Sequence, residues 1–139
     1  MMRRSTTCLA LAAIIAPGIA HACPQSDIAG TWSLFVTRTR LLEPGTWARC
    51  RMNIATNGVV SPATSSCKDA EGAAVPVLAG SRLRLQSDCS ITGPVLVRIG
   101  GKSVRYTVVE GQLDRTKSTM SGVGTFPGAG RFSFTGVLR

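Results

Sequence analysis

Glycine and proline punctuate most of the chain, and their spacing strongly limits what it can fold into. They recur at residues 44–45, 57–58, 62, 72, 76, 80, 93–94, 100–101, 111, 122, 124, 127–128 and 130. Between them lie runs of about 5 to 9 residues in which apolar and polar side chains alternate, a pattern typical of strands. We predict an all-β fold, a small antiparallel barrel of about eight strands in up-and-down order.

The predicted strands follow one another through short connections. They are 31–39, 47–55, 59–66, 81–87, 94–99, 103–110, 113–118, 121–125 and 131–138. Two hairpins are expected, one around Asn57-Gly58, whose residues accept the positive φ of a tight turn, and one around Gly100-Gly101. Alternation within the strands places aliphatic side chains on an inner face and arginines on an outer face. A closed or nearly closed barrel fits because such a sheet hides its edges.

The first 22 residues have the pattern of a secretory signal peptide. Arg3 and Arg4 give a positive start, 9–15 is a short apolar run, and Ala20-His21-Ala22 fits a cleavage site. The apolar run is shorter than the roughly 20 residues that span a bilayer, and no other segment qualifies. We therefore predict a signal peptide at 1–22, one β-barrel domain at 23–139, no transmembrane segment, and a periplasmic or secreted protein.

Four cysteines follow the predicted cleavage site: Cys23, Cys50, Cys67 and Cys89. An even number in a small exported domain predicts two disulfides, with three possible connectivities. No Cys-x-x-Cys pair is present, so neither a zinc nor a redox motif is indicated. The alternative is lipidation of Cys23, which would anchor the protein to a membrane, although Ala20 and His21 depart from a lipoprotein signal.

Residues that carry catalytic chemistry are scarce. The one histidine, His21, lies in the predicted signal, which leaves no imidazole for base or metal chemistry. Oxidised cysteines offer no thiolate nucleophile. The seven acidic residues fit solvated turns, although a fold could bring Glu110 and Asp114 together as a carboxylate pair. We predict a protein that is not an enzyme and that needs no cofactor or metal.

The chain is strongly basic, with 16 Lys and Arg against 7 Asp and Glu, and only Arg3 and Arg4 leave with the signal. Arginines recur at i and i+2, positions that share one face of a strand. The candidate ligand-binding patch is Arg49, Arg51, Arg82 and Arg84. A guanidinium binds phosphate or carboxylate through two parallel hydrogen bonds. The alternative is that outward arginines only solubilise the sheet and protect its edges. Nucleic acid is not expected, because the outer faces carry few aromatics for base stacking.

Residues 27–34 read Asp-Ile-Ala-Gly-Thr-Trp-Ser-Leu and open the first predicted strand. Gly30-Thr31-Trp32 resembles the first-strand motif of the calycin group, which comprises lipocalins, avidins and bacterial metalloprotease inhibitors. The run is most similar to that of the inhibitors. The resemblance implies that Trp32 plugs one end of the barrel and that Cys50 pairs with Cys67. The connectivity that goes with it is Cys50–Cys67 with Cys23–Cys89.

The chain also departs from each calycin family. Avidins line their site with several tryptophans, whereas only Trp32 and Trp47 occur here. Lipocalins are usually longer and carry a helix near the C-terminus. The inhibitors insert a free N-terminal segment into the protease, and a disulfide at Cys23 would tie that segment down.

Together these features predict a binding protein without catalytic activity, acting through loops or a basic outer face. The resemblance implies that it inhibits an envelope hydrolase, so the expected partner is an envelope protein or an anionic polymer. One alternative is a structural or surface-associated protein that binds anionic envelope polymers; another is a calycin-like small-ligand binder. An eight-stranded barrel can be filled by its own side chains, which leaves the loops 43–46, 68–77 and 126–130 as binding surfaces.

Overall fold

The computed structural model describes residues 22–41 and 43–139, which form a short 3-10 helix and nine strands. The helix is Gln25–Ile28. The strands are β1 Gly30–Arg40, β2 Glu43–Ile54, β3 Ser66–Asp69, β4 Ala74–Pro76, β5 Arg84–Leu85, β6 Ser90–Ile99, β7 Lys102–Leu113, β8 Thr119–Phe126 and β9 Gly130–Leu138. The predicted signal peptide lies outside the described residues, apart from Ala22.

All strands pair antiparallel in one sheet with the order β4-β3-β2-β1-β9-β8-β7-β6-β5. Strands that follow one another in sequence are paired, apart from β4 and β5 at the two ends of this order. The first strand also pairs with the last, so that Trp32 lies opposite Leu138. The sheet curls, and beyond β4 Val77 forms a bridge to Val97 of β6. The expected all-β antiparallel meander is confirmed in a curled, barrel-like form, with β4 and β5 as short edge strands.

Only the first part of the hairpin expected between 47–55 and 59–66 forms. The chain turns at Asn57-Gly58, where Gly58 has φ 82°, and Ile54 forms a bridge to Val60. The pairing with β2 extends to Ser61, whose N–H donates to Asn53 O at 2.9 Å, while Val60 N donates to Ser81 O at 3.0 Å on the other side. The strand predicted at 59–66 is wrong, because the chain leaves β2 after Ser61 and turns at 62–64, beginning at Pro62, which has no backbone N–H. The strand predicted at 81–87 shortens to Arg84–Leu85, and just before it Leu83 N donates to Gly58 O at 2.9 Å.

The strand predicted at 113–118 is also wrong. β7 continues to Leu113, and the next residues turn back into β8. Asp114 holds this turn, because one carboxylate oxygen accepts hydrogen bonds from the backbone N–H of Ser118 and of Thr119, both at 2.8 Å. Lys117 adopts φ 58° within it. Side-chain bonding to nearby backbone is the chemistry by which Asp favours turns over strands.

Alternate residues of the strands fill the inside of the sheet. Cys50, Met52 and Ile54 of β2 are buried, as expected from their alternation. Trp32 is fully buried, and its Nε1 donates to the carbonyl of Ile28 at 2.8 Å. The 3-10 helix thus caps the end of the barrel at which Trp32 lies.

Two disulfides tie the fold together, with the connectivity Cys23–Cys89 and Cys50–Cys67. The first fixes the segment before the 3-10 helix to the turn between β5 and β6. The second joins directly opposed positions of β2 and β3. Two disulfides are consistent with an extracellular or periplasmic location. None of the helical structure in the described part of the chain is long and apolar enough to cross a membrane.

Glycines of β8 make room for the aromatic rings of β9. Gly122 lies opposite Phe134 and Gly124 opposite Phe132. A Cβ on Gly122 would come within 2.7 Å of the Phe134 ring. The rings can therefore lie flat against the glycine backbone and bury their faces, an arrangement that stabilises strands with glycine.

Candidate functional site

The outer faces of β3, β2, β1 and β9 form a shallow groove of about 560 Å³. Its charged residues are Arg49, Arg51, Lys68 and Arg139, and Ser33 and Phe35 form its floor; we call this the basic groove. Strand register assembles it, because Arg49 lies between Phe35 of β1 and Lys68 of β3. Residues that are distant in sequence thus form one cationic surface.

The positive charges of the basic groove repel one another, which destabilises the sheet. Arg49 and Lys68 are directly opposed on neighbouring strands, and like charges in such pairs destabilise a sheet. Among the side chains that the structure describes, no carboxylate forms an ion pair with Arg49, Arg51 or Lys68; the ion pair between Lys117 and Asp27, at 2.6 Å, lies elsewhere. A bound anion would relieve this repulsion.

Two aromatic side chains extend the groove. Phe35 is 48% exposed, and its ring stacks on Trp47 with 5.8 Å between centroids. The guanidinium of Arg49 lies over the Trp47 ring at 5.6 Å, a cation–π contact that orients it. Neither aromatic was among the site residues predicted from the sequence. The signal was present, since Phe35 alternates with the inward Leu34 and is therefore directed outward.

The predicted patch of four arginines is divided between two places. Arg49 and Arg51 lie in the basic groove. Arg84 belongs to β5 at the other end of the strand order, and Arg82 precedes it. Arg82 is held there, because its Nε donates to the carbonyl of Asn57 at 3.1 Å. Neither Arg82 nor Arg84 lines the groove, and their place is taken by Lys68 and Arg139.

A second concave site lies inside the barrel. An apolar space of about 80 Å³, the inner cavity, is lined by side chains such as Val97, Val108 and Phe134. It continues into a wider space of about 240 Å³, the mouth, whose lining includes Arg38, Tyr106 and Phe126. Arg38 and Trp32 are both even-numbered residues of β1 and six positions apart, so the mouth lies roughly 20 Å from the capped end.

The acidic side chains with shifted pKa values, Asp88 and Asp114, lie in turns. Hydrogen bonds from the Thr116 side chain and from nearby backbone N–H groups lower the pKa of Asp114 from 3.8 to about 2. The pKa of Asp88 is lowered mainly by its hydrogen bonds with Ser90. Both shifts favour the ionised form, the opposite of what a general acid needs. In the described ranges no three His, Cys, Asp or Glu side chains are grouped to hold a metal ion.

Comparisons with known proteins bear on the fold alone. No family model matches the chain, and no curated protein matches it. Among solved structures, a redesigned beta barrel is similar with a TM-score of 0.52 and 13% sequence identity, over 84% of this chain and 95% of that chain. At this identity the likeness supports a barrel-like β-fold and carries no information about function.

Proposed function

We propose that this protein is a non-catalytic binding protein whose basic groove holds an acidic polysaccharide of the cell envelope. The observation that carries the proposal is the set of Arg49, Arg51 and Lys68, which lie side by side on two neighbouring strands without carboxylate partners in the described chain. Guanidinium groups bind carboxylate and sulfate-like oxygens through paired hydrogen bonds.

The shape of the groove favours a polymer over a small anion. It crosses four strands, which at about 4.8 Å per strand spacing is roughly 15 Å of surface, enough for several linked sugars. The exposed ring of Phe35 and the partly exposed ring of Trp47 lie beside the cations and offer apolar faces against which sugar rings can pack. An apolar patch rimmed by charged residues is typical of an interaction site.

The net positive charge of the whole chain also favours binding of a polyanion. It raises the local concentration of a polyanion before specific contact is made. The role implied by the calycin resemblance, inhibition of an envelope hydrolase through the N-terminal segment, has weaker support. Cys23 is bonded to Cys89, and its backbone N–H donates to Ser87 O at 3.1 Å, so this segment is held against the barrel.

The test compares two triple variants of equal charge on an immobilised sulfated polysaccharide, heparin, across a salt series. The groove variant is Arg49→Gln, Arg51→Gln and Lys68→Gln. The control is Arg98→Gln, Arg105→Gln and Lys102→Gln, three exposed residues of β6 and β7. Each exposed charge pair contributes about 0.2 to 1 kcal/mol, so the groove variant should bind about 3-fold to 100-fold more weakly at low salt.

The salt dependence separates a site from diffuse charge. Attraction between exposed charges fades as the screening length falls to about 3 Å near 1 M salt. We expect the groove variant to lose most of its binding and the control to lose little, with unchanged thermal unfolding in both. Equal losses in the two variants would mean that net charge alone drives the binding, and the proposal would then be wrong.

A further inference from the structure

The inner cavity is apolar but is not filled. Of the described residues that line it, Arg38 alone is charged, and the others are mostly aliphatic or aromatic. Its volume of about 80 Å³ exceeds the roughly 30 Å³ that one water occupies in the liquid. A water there would find almost no hydrogen-bond partners, and apolar cavities of this kind stay dry and accept apolar groups. The cavity therefore has room for a short aliphatic group.

Arg38 lies where the strand pattern calls for an apolar residue. It follows Leu34 and Val36 on the inward face of β1, and its Nη1 donates to the hydroxyl of Tyr106 at 3.0 Å. Its Nε is buried and makes no hydrogen bond to any described residue. A buried donor without an acceptor costs about 1 to 3 kcal/mol, and more when the group is charged. An anion at this position would supply the missing acceptor.

The cation and the cavity belong to one site. Arg38, Ile99 and Tyr106 line both the mouth and the inner cavity, so the two spaces meet at the guanidinium. The opposite end is closed by Trp32, which is fully buried. A ligand must then enter through the mouth with its apolar end first, and its charged end comes to rest at Arg38.

We infer that the barrel binds a small carboxylate with a short aliphatic tail, the carboxylate on Arg38 and the tail in the inner cavity. The planar guanidinium can offer Nε and a terminal nitrogen to the two carboxylate oxygens as parallel donors. The Tyr106 ring, packed against Phe126 with centroids 4.9 Å apart, forms a rigid apolar wall beside the head group. This site is independent of the basic groove on the outside of the sheet.

The size of the cavity sets the expected chain length. It accepts about two or three water-sized groups, and the mouth lies on the other side of the bound carboxylate, so that it does not hold the tail. Affinity should thus rise from acetate to butanoate and fall at octanoate and dodecanoate, because a longer tail would have to displace core side chains. The matched 1-alkanols should bind at least tenfold more weakly, because they lack the charge that Arg38 recognises.

The experiment is calorimetric titration of the purified protein with this alkanoate series. Arg38→Gln should weaken the best alkanoate at least tenfold. The matched control Arg105→Gln, in the strand position next to Tyr106 but exposed, should leave its affinity unchanged. A second variant, Val97→Phe, fills the cavity without touching the cation and should remove the dependence on tail length.

The outcomes are distinguishable from those for the basic groove. The groove variant Arg49→Gln, Arg51→Gln and Lys68→Gln should bind the alkanoates as the unaltered protein does, whatever its affinity for heparin. If Arg38 served only to support the fold, Arg38→Gln would lower thermal stability and leave alkanoate affinity unchanged. That result, or a failure of every alkanoate to bind at millimolar concentration, would overturn the inference.

Discussion

Replacing Trp32 with alanine should be one of the most destabilising single changes in this protein. The side chain is fully buried between β2 and β9, with Met52 and Leu138 at the paired positions of those strands. Its indole N–H also donates to Ile28 O at 2.8 Å, which connects the 3-10 cap to the barrel. The substitution therefore removes packing, a hydrogen bond and a structural connection together.

The expected magnitude can be worked from these contacts. Truncating a buried tryptophan to alanine costs about 3 to 5 kcal/mol through lost burial and the cavity left behind. Loss of the hydrogen bond to the buried Ile28 carbonyl adds about 1 kcal/mol or more. We expect about 5 kcal/mol in all, a large part of the roughly 5 to 15 kcal/mol that stabilises a typical domain.

Urea unfolding followed by circular dichroism measures this cost. Trp32→Phe keeps most of the ring volume but loses the donor, so it should cost about 2 kcal/mol. Trp47→Ala, at a partly exposed site on the outer face, serves as the matched tryptophan control and should cost less than Trp32→Ala. A cost below about 1 kcal/mol for Trp32→Ala would mean an exposed side chain and would refute the assigned role of Trp32 as the end of the core.

Two further results are expected. Intact mass before and after reduction should reveal two disulfides, and free thiols in the native protein would contradict this. Replacing both cysteines of a bridge by alanine should lower the free energy of unfolding by about 3 kcal/mol for Cys50–Cys67 and by about 4 kcal/mol for Cys23–Cys89, because the bridges close loops of 17 and 66 residues. Asp114→Asn should lower stability at neutral pH, because the folded pKa of Asp114 is depressed to about 2 and the ionised form stabilises the turn. The gap to the unaltered protein should close as pH falls from about 4 to about 2, and a gap that stayed constant with pH would assign the effect to something other than this carboxylate.

The parts of the fold that could be predicted from the sequence are those determined by residues close together in the chain. Alternation of apolar and polar residues located β1 and the later strands, because a half-buried strand must alternate. The strand at 59–66 was wrong because the chain turns at 62–64, and Pro62 within it, which cannot donate to a ladder, was a local sign of this. The turn at Asp114 could also have been recognised, because Asp with Thr116 and Ser118 close behind it is typical of turns.

The candidate site likewise has residues that could be predicted from the sequence and residues that could not. Arg49 and Arg51 were identifiable as an outward pair on one strand. Their partners Lys68 and Arg139 were not, because only the order β3-β2-β1-β9 brings those residues alongside. Arg38 has the same i and i+2 spacing with Arg40 in the sequence, but its inward direction became visible only with its Tyr106 contact.

The pairing of β1 with β9 has a consequence for how the chain folds. It joins strands from opposite ends of the described sequence, as in the register of Trp32 with Leu138. Structures that depend on contacts so distant in sequence fold slowly, typically in milliseconds to seconds. Until β9 docks, one edge of β1 offers unpaired backbone groups to other chains. The Cys50–Cys67 bond, by contrast, needs only neighbouring strands and can form early. We therefore expect closure of β9 onto β1 to be the slow step, and unfinished chains with a free β1 edge to be the species most prone to aggregate.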